Sequence, residues 1–237
     1  MLLTHVADRL QAYERDGLHY HLAASGVYEA RKRIGNVFSA EFRPYIIAGL
    51  LSYDMGRQLG KAPYQIFAER LARKLALVEP LIAPFMQSSL ATVDLATAQA
   101  PISQAYELLA ARGTGALNTN STSAFYVGAS KVLHWLNPEL FLIIDSFIAR
   151  AFHTHPDPAS RVRIIRAGAP CYSAALYLRC LAHAQREITA YGEAQLRRDG
   201  GGLPLMNIYG NVAFQYAREA LGKAGSAFGP VFSSSKG

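Results

Sequence analysis

Apolar residues return at three- and four-residue intervals along most of this chain, the rhythm of one helix face. Leu2, Leu3, Val6, Leu10 and Tyr13 set it from the start. Further helices are predicted over 40–60, ending near Gly60, and over 63–82, with Pro63 in the first turn. Another runs from Pro101 to just before Gly113. Thr122 or Ser123 can cap the next, which Asn137-Pro138 stops. Asp145 stands at the N-cap of a short helix, and long amphipathic helices follow over 171–192 and 204–225. Residues 139–145, ELFLIID, read as extended but have no alternating partner elsewhere, so the expected class is all-α.

Polar, turn-forming residues divide these helices. The Gly-, Asn- and Thr-rich stretch 113–122 marks an expected boundary between two helical lobes. The organisation this predicts is a lobe over 1–112, a second over 113–224, and a tail over 225–237. Shorter loops are expected at HTHPDPASR (153–161) and RRDGGGLP (197–204).

Composition narrows the class. Of 237 residues 51% are hydrophobic and 17% charged, which excludes a disordered chain. The excess of 24 Lys and Arg over 17 Asp and Glu gives a net charge of +7. Arginine dominates, and its planar fork suits phosphate and carboxylate, so a polyanionic partner is favoured. Cys171 and Cys180 are nine apart on what reads as one helix, about 13 Å along its axis and too far to bridge. No CxxC pair supports a zinc ribbon or an iron–sulfur cluster, and no cofactor is expected. Charges within the first seventeen residues argue against a signal peptide, and no apolar run is long enough to span a membrane. A cytoplasmic, reducing location is the simplest expectation.

The chemistry concentrates in VGASKVLHWLNPELFLIIDSFIAR, positions 127–150, where Lys131 and Asp145 stand in apolar company. Lys131, His134 and Trp135 are at i, i+3 and i+4, on one helix face. The apolar connector that follows can fold back and bring Asp145 to Lys131. A lysine amine is nucleophilic only when neutral, a state that desolvation favours and a nearby carboxylate opposes.

In their order, Val127, Gly128, Lys131, Ile143, Ile144, Asp145, Ile148 and Arg150 resemble the core motif of the helix-hairpin-helix superfamily of DNA base-excision glycosylases. The resemblance covers about a tenth of the chain. It departs from the family in having one hairpin glycine, Gly128, and a shorter Lys-to-Asp spacing of 14. It implies an all-α fold of two helical lobes around a cleft and a duplex DNA partner carrying a damaged base. Lys131 would then be the nucleophile of a strand-cleaving member, and Asp145 would assist glycosidic cleavage. Gly128 and Arg150 would touch the DNA backbone, and His134 and Trp135 are candidates for the pocket of an extruded base.

Plainer readings stand beside these. Asp145 is a helix cap in its own right, Lys131 a snorkelling or paired lysine, and His134 and Trp135 core packing. Arg161, Arg163 and Arg166, with Arg31-Lys32-Arg33 and Arg197-Arg198, are candidates for phosphate contacts. His153, His155 and Asp157 alternate in HTHPDP, but without a fourth ligand they read as a turn-rich loop and no metal is expected. Three functions follow: a base-lesion glycosylase with or without lyase activity, a non-catalytic nucleic-acid-binding or regulatory module, and a helical protein-interaction domain.

Overall fold

A computed structural model describes residues 1–16, 18–52, 64–113, 115–117, 124–166 and 169–223. Ten α-helices account for most of them: α1 (Val6–Asp16), α2 (Leu18–Ile34), α3 (Arg43–Ser52), α4 (Tyr64–Ile82), α5 (Leu95–Ala110), α6 (Tyr126–Leu136), α7 (Ser146–His153), α8 (Ala174–Tyr191), α9 (Glu193–Asp199) and α10 (Leu205–Lys223). The only strand pairing among the described residues is a two-residue antiparallel ladder, Ile165–Arg166 against Ala169–Pro170. The fold is all-α.

Several boundaries differ from the expected ones, each for a local reason. The helix expected from Pro101 starts six residues earlier, because Asp94 caps it by accepting from Ala96 N–H at 2.9 Å. Pro101 therefore lies inside α5. Cys171 is not on the helix of Cys180: Ser173 caps α8 through Leu176 N–H at 3.2 Å, leaving Cys171 exposed ahead of it. Part of the loop expected at 197–204 is helical, since α9 runs to Asp199. The caps proposed at Thr122 and Ser123 are not used by α6, which starts at Tyr126 behind Phe125 with no side-chain cap. The helix end near Gly60 and the tail over 225–237 lie outside the described residues.

One hydrophobic core crosses the stretch 113–122: Ile46, Leu75, Leu109, Trp135, Phe152 and Leu181 all belong to it. Helix α6 sits in the middle, packed on α3 and α5, while α8 packs on α5 and α10 packs on α1 and α7. Its residues Gly128–Leu136 are all buried, as expected of a helix that is apolar all round. Helices α1 and α10 are also joined by Arg9, whose guanidinium makes two bonds to Glu219, at 2.7 and 3.0 Å. No helix among the described residues is long and apolar enough to cross a membrane.

Candidate functional site

Lys131, His134 and Trp135 are carried into the interior by α6, with 3%, 1% and 0% exposure. Trp135 lies against Gly49 of α3, where a Cβ would come within 2.7 Å of the indole ring. Gly128 plays the same part under the ring of Phe125, so its missing side chain is used for packing. His134 is held at both nitrogens. Nδ1 lies 2.7 Å from the Phe141 carbonyl, which can only accept, so Nδ1 carries the proton. Nε2 then accepts from the Tyr28 hydroxyl at 2.8 Å. Burial lowers the His134 pKa to about 4 despite the Phe141 carbonyl, which pulls the other way, so the ring is neutral near pH 7.

The connector 137–145 turns over 138–140 and then runs without regular structure over 141–145; it is largely buried, so its backbone groups need partners other than a ladder. Side chains supply them. Tyr177 donates to the Leu142 carbonyl at 3.2 Å, and the Ser130 hydroxyl accepts from Ile144 N–H at 3.1 Å while donating to the Val127 carbonyl at 2.7 Å. Asn137 donates to the carbonyls of Phe85 and Ser88 and accepts from Glu139 N–H. Ser130 therefore pins the chain just before Asp145 to the turn of α6 that carries Lys131. Its role was not apparent in the sequence, where a serine at i−1 of a lysine carries no signal.

Asp145 is the N-cap of α7, its Oδ1 accepting from Phe147 N–H at 2.9 Å and Ile148 N–H at 3.0 Å. Arg150, one turn further on, is buried. Both act electrostatically on Tyr172: burial raises its pKa first, Asp145 adds to the rise, and Arg150 offsets part of it. Asp145 at the start of α7 and Arg150 in its last turn are thus both within electrostatic reach of Tyr172. Tyr172 was not anticipated.

The basic clusters are placed less uniformly. Arg31 is spent on the Leu136 and Met86 carbonyls, Lys32 pairs with Glu29, and Arg33 bonds the Tyr45 hydroxyl. Arg197 bridges Glu139 and Glu193, and Arg198 bonds Gln195. Residues 161–164 alternate, with Val162 and Ile164 buried and Arg161 and Arg163 exposed on one side; Arg161 also donates to the His155 carbonyl. Arg166 belongs to the short ladder. A recess of about 480 Å³ lies elsewhere, between α1 and the end of α9, with Asp8, Glu14 and Asp199 on its wall. That acidic lining is unsuited to a phosphate backbone.

Of HTHPDP, only His155 turns inward, to 2% exposure. His153 is half-buried, and exposed Asp157 caps a 3₁₀ turn through Ala159 N–H. His155 Nε2 is 3.0 Å from Glu187 Oε1, and His183 Nε2 is 3.7 Å from Glu187 Oε2. The Tyr209 hydroxyl donates to Oε2 at 2.9 Å, and Leu2 N–H donates to Oε1. Burial pushes the Glu187 pKa up, but His183, His155, Tyr209 and Leu2 together hold it down at about 2. The i, i+4 spacing of His183 and Glu187 on a helix was the available sequence signal for this cluster.

Comparison with protein-family models, with curated proteins and with solved structures finds no match that would show a family or a related fold.

Proposed function

We propose that this protein acts on duplex DNA at a damaged base, as a base-excision glycosylase whose reacting pair is Lys131 and Asp145. The observation that supports it is the fold-back of the connector. The Ile144–Ser130 bond sets the backbone entering Asp145 beside the turn that bears Lys131, and this backbone proximity supports the reading. In this reading, neutral Lys131 attacks the anomeric carbon as the glycosidic bond breaks. The base departs with the bonding electrons and takes up a proton, and sugar-ring opening leaves an imine to Lys131. Asp145 stabilises the positive charge that develops on the sugar. Exposed Arg161 and Arg163 offer phosphate contacts two residues apart on one face.

Burial of Lys131 to 3% keeps its amine from a substrate unless α6 or α7 gives way. His134 and Trp135, committed to the core, are not offered as a stacking pocket. This specific observation favours a second reading, a nucleic-acid-binding module of the same architecture in which Lys131 and Asp145 join helices.

Borohydride trapping on duplexes with an abasic site or an oxidised or alkylated base separates the two. The glycosylase–lyase predicts a covalent adduct that disappears in Lys131→Ala. Salt-sensitive duplex binding without an adduct or base release selects the binding module. Binding through Arg161 and Arg163 predicts a shallower salt dependence when both become Ala, by about 0.9 in log–log slope for each phosphate no longer neutralised. Absence of any duplex binding would overturn both readings and leave a protein-interaction domain.

A further inference from the structure

His155, His183 and Glu187 form a buried cluster with 2%, 2% and 5% exposure. One ligand atom from each lies within 4.8 Å of the others. Two come from one face of α8, a turn apart, and the third from the loop after α7. His183 is the feature that needs an explanation. Both its ring nitrogens are buried without a hydrogen-bond partner, and the 3.7 Å to Glu187 Oε2 is too long for a hydrogen bond. A neutral imidazole has one N–H and one lone pair, and leaving either unmatched in the interior costs about 1–3 kcal/mol. Such a ring is expected to face something that it holds.

We propose that His155, His183 and Glu187 are the ligands of a divalent transition-metal ion, Zn²⁺ by their chemistry, tying the loop after α7 to α8. Two imidazole nitrogens and one carboxylate oxygen suit Zn²⁺ better than the oxygen-seeking Ca²⁺ or Mg²⁺. Zn–N and Zn–O bonds of about 2.1 Å in tetrahedral geometry separate neighbouring ligand atoms by roughly 3.4 Å. The 3.0 Å separation is from His155 to Oε1 and the 3.7 Å separation from His183 to Oε2. With one carboxylate oxygen as ligand the set, spread over up to 4.8 Å, contracts by side-chain rotation when the ion binds. Three protein ligands leave a fourth position for water or a substrate atom.

Groups behind the ligands are arranged to orient them. His155 Nδ1 lies 3.0 Å from the Asp157 carbonyl and can donate to it, turning the Nε2 lone pair toward Glu187. The Tyr209 hydroxyl and Leu2 N–H fix the carboxylate. The same Nδ1 is 3.1 Å from Asp157 N–H, so His155 can also take the opposite tautomer and donate Nε2–H to Glu187. That tautomer describes a metal-free latch and is the competing outcome. The proposed site shares no residue with the Lys131–Asp145 pair, so trapping experiments bear on neither outcome.

The test titrates the full chain, treated with chelator and then freed of it, with Zn²⁺ alone. Calorimetry is expected to find one ion per chain, and the Tm to rise with free Zn²⁺. His183→Gln is expected to weaken binding by at least about 100-fold, more than the usual effect of changing an orienting group, and Tyr209→Phe by roughly 10–100-fold. His153→Gln and Cys171→Ser are expected to leave it unchanged. Should His183→Gln fail to fold by circular dichroism, Co²⁺ in the unaltered chain decides: an intense tetrahedral visible spectrum is expected. No stoichiometric binding, unchanged affinity in a folded His183→Gln, or only the weak bands of an octahedral surface ion would overturn the proposal.

Discussion

The interior holds two polar regions, and they satisfy their polar groups in opposite ways. Around α6 and α7, the key polar atoms mostly meet backbone groups, each with its own partner. His134 meets the Phe141 carbonyl, Ser130 meets Val127 and Ile144, and Asp145 meets the first N–H groups of α7. Around α8, five polar groups surround one carboxylate: Leu2 N–H, the Tyr209 hydroxyl, the rings of His155 and His183, and the Met1 ammonium at 3.7 Å. Glu187 serves three of them closely and leaves His183, like Met1, at 3.7 Å. The stability of the two regions therefore has different sources. The first distributes many neutral bonds of about 1 kcal/mol each. The second depends on a single charge, so its loss strands several groups together.

Glu187→Ala puts this contrast at greatest risk. Removing the acceptor leaves His155, His183, Tyr209 and Leu2 N–H facing each other in the interior, with an expected cost of about 3–5 kcal/mol, read from urea unfolding. A loss below about 1 kcal/mol, the level of a surface pair, would mean that α8 does not depend on that charge.

A pH titration of stability isolates the first region. The folded pKa of His134 is lowered to about 4 from an ordinary 6.5. The unfolded chain therefore takes up a proton first as pH falls. The contribution of neutral His134 is fully present above pH 6.5, is lost progressively down to about pH 4, and is flat below. The loss amounts to about 3 kcal/mol. His134→Gln should flatten stability across that window; an unchanged slope would assign it to another group. Glu187, held down at about 2, adds a further loss only below its ordinary pKa near 4.5, so the two regions fail in successive pH windows.

Smaller effects probe the fold-back. Ser130→Ala leaves the buried Ile144 N–H without its acceptor, at about 1–3 kcal/mol, and should speed hydrogen exchange in 140–145 ahead of global unfolding. Asp145→Ala removes a helix cap worth about 1 kcal/mol, whereas Asp145→Asn keeps the cap and removes the charge. If Asp145 is only a cap, Asn should restore every property measured. If it stabilises a developing cation, base release should fall in both variants while stability recovers in Asn.

How much of this was legible in the sequence depends on the distance over which each feature is decided. The 3.6-residue period of 127–136 identified α6, and the apolar-apolar-Asp pattern identified the cap at 145, because both are local. The extended segment expected over 139–145 is not a strand: Glu139 and Leu140 lie in a turn, and 141–145 run without a ladder partner. What was hidden is how this lone segment satisfies its backbone: Tyr177, which donates to the Leu142 carbonyl, comes from α8, and no local pattern ties that helix to the connector. The same holds for Gly49, which reads as an ordinary helical glycine until Trp135 is laid against it.

The order of residues alone thus specifies an all-α protein whose most apolar helix carries a lysine, with a capping aspartate following fourteen residues later. Spacing within one helix and the chemistry of its ends were sufficient for that. Three-dimensional packing was needed to seal Lys131 in the core, to anchor the chain before Asp145 on Ser130, and to bring His155 out of its loop to His183 and Glu187. The reason is that burial of a polar atom depends on which distant partner reaches it. Residues 155 and 187 meet through the packing of α7, α8 and α10, and no pattern within either segment carries that information.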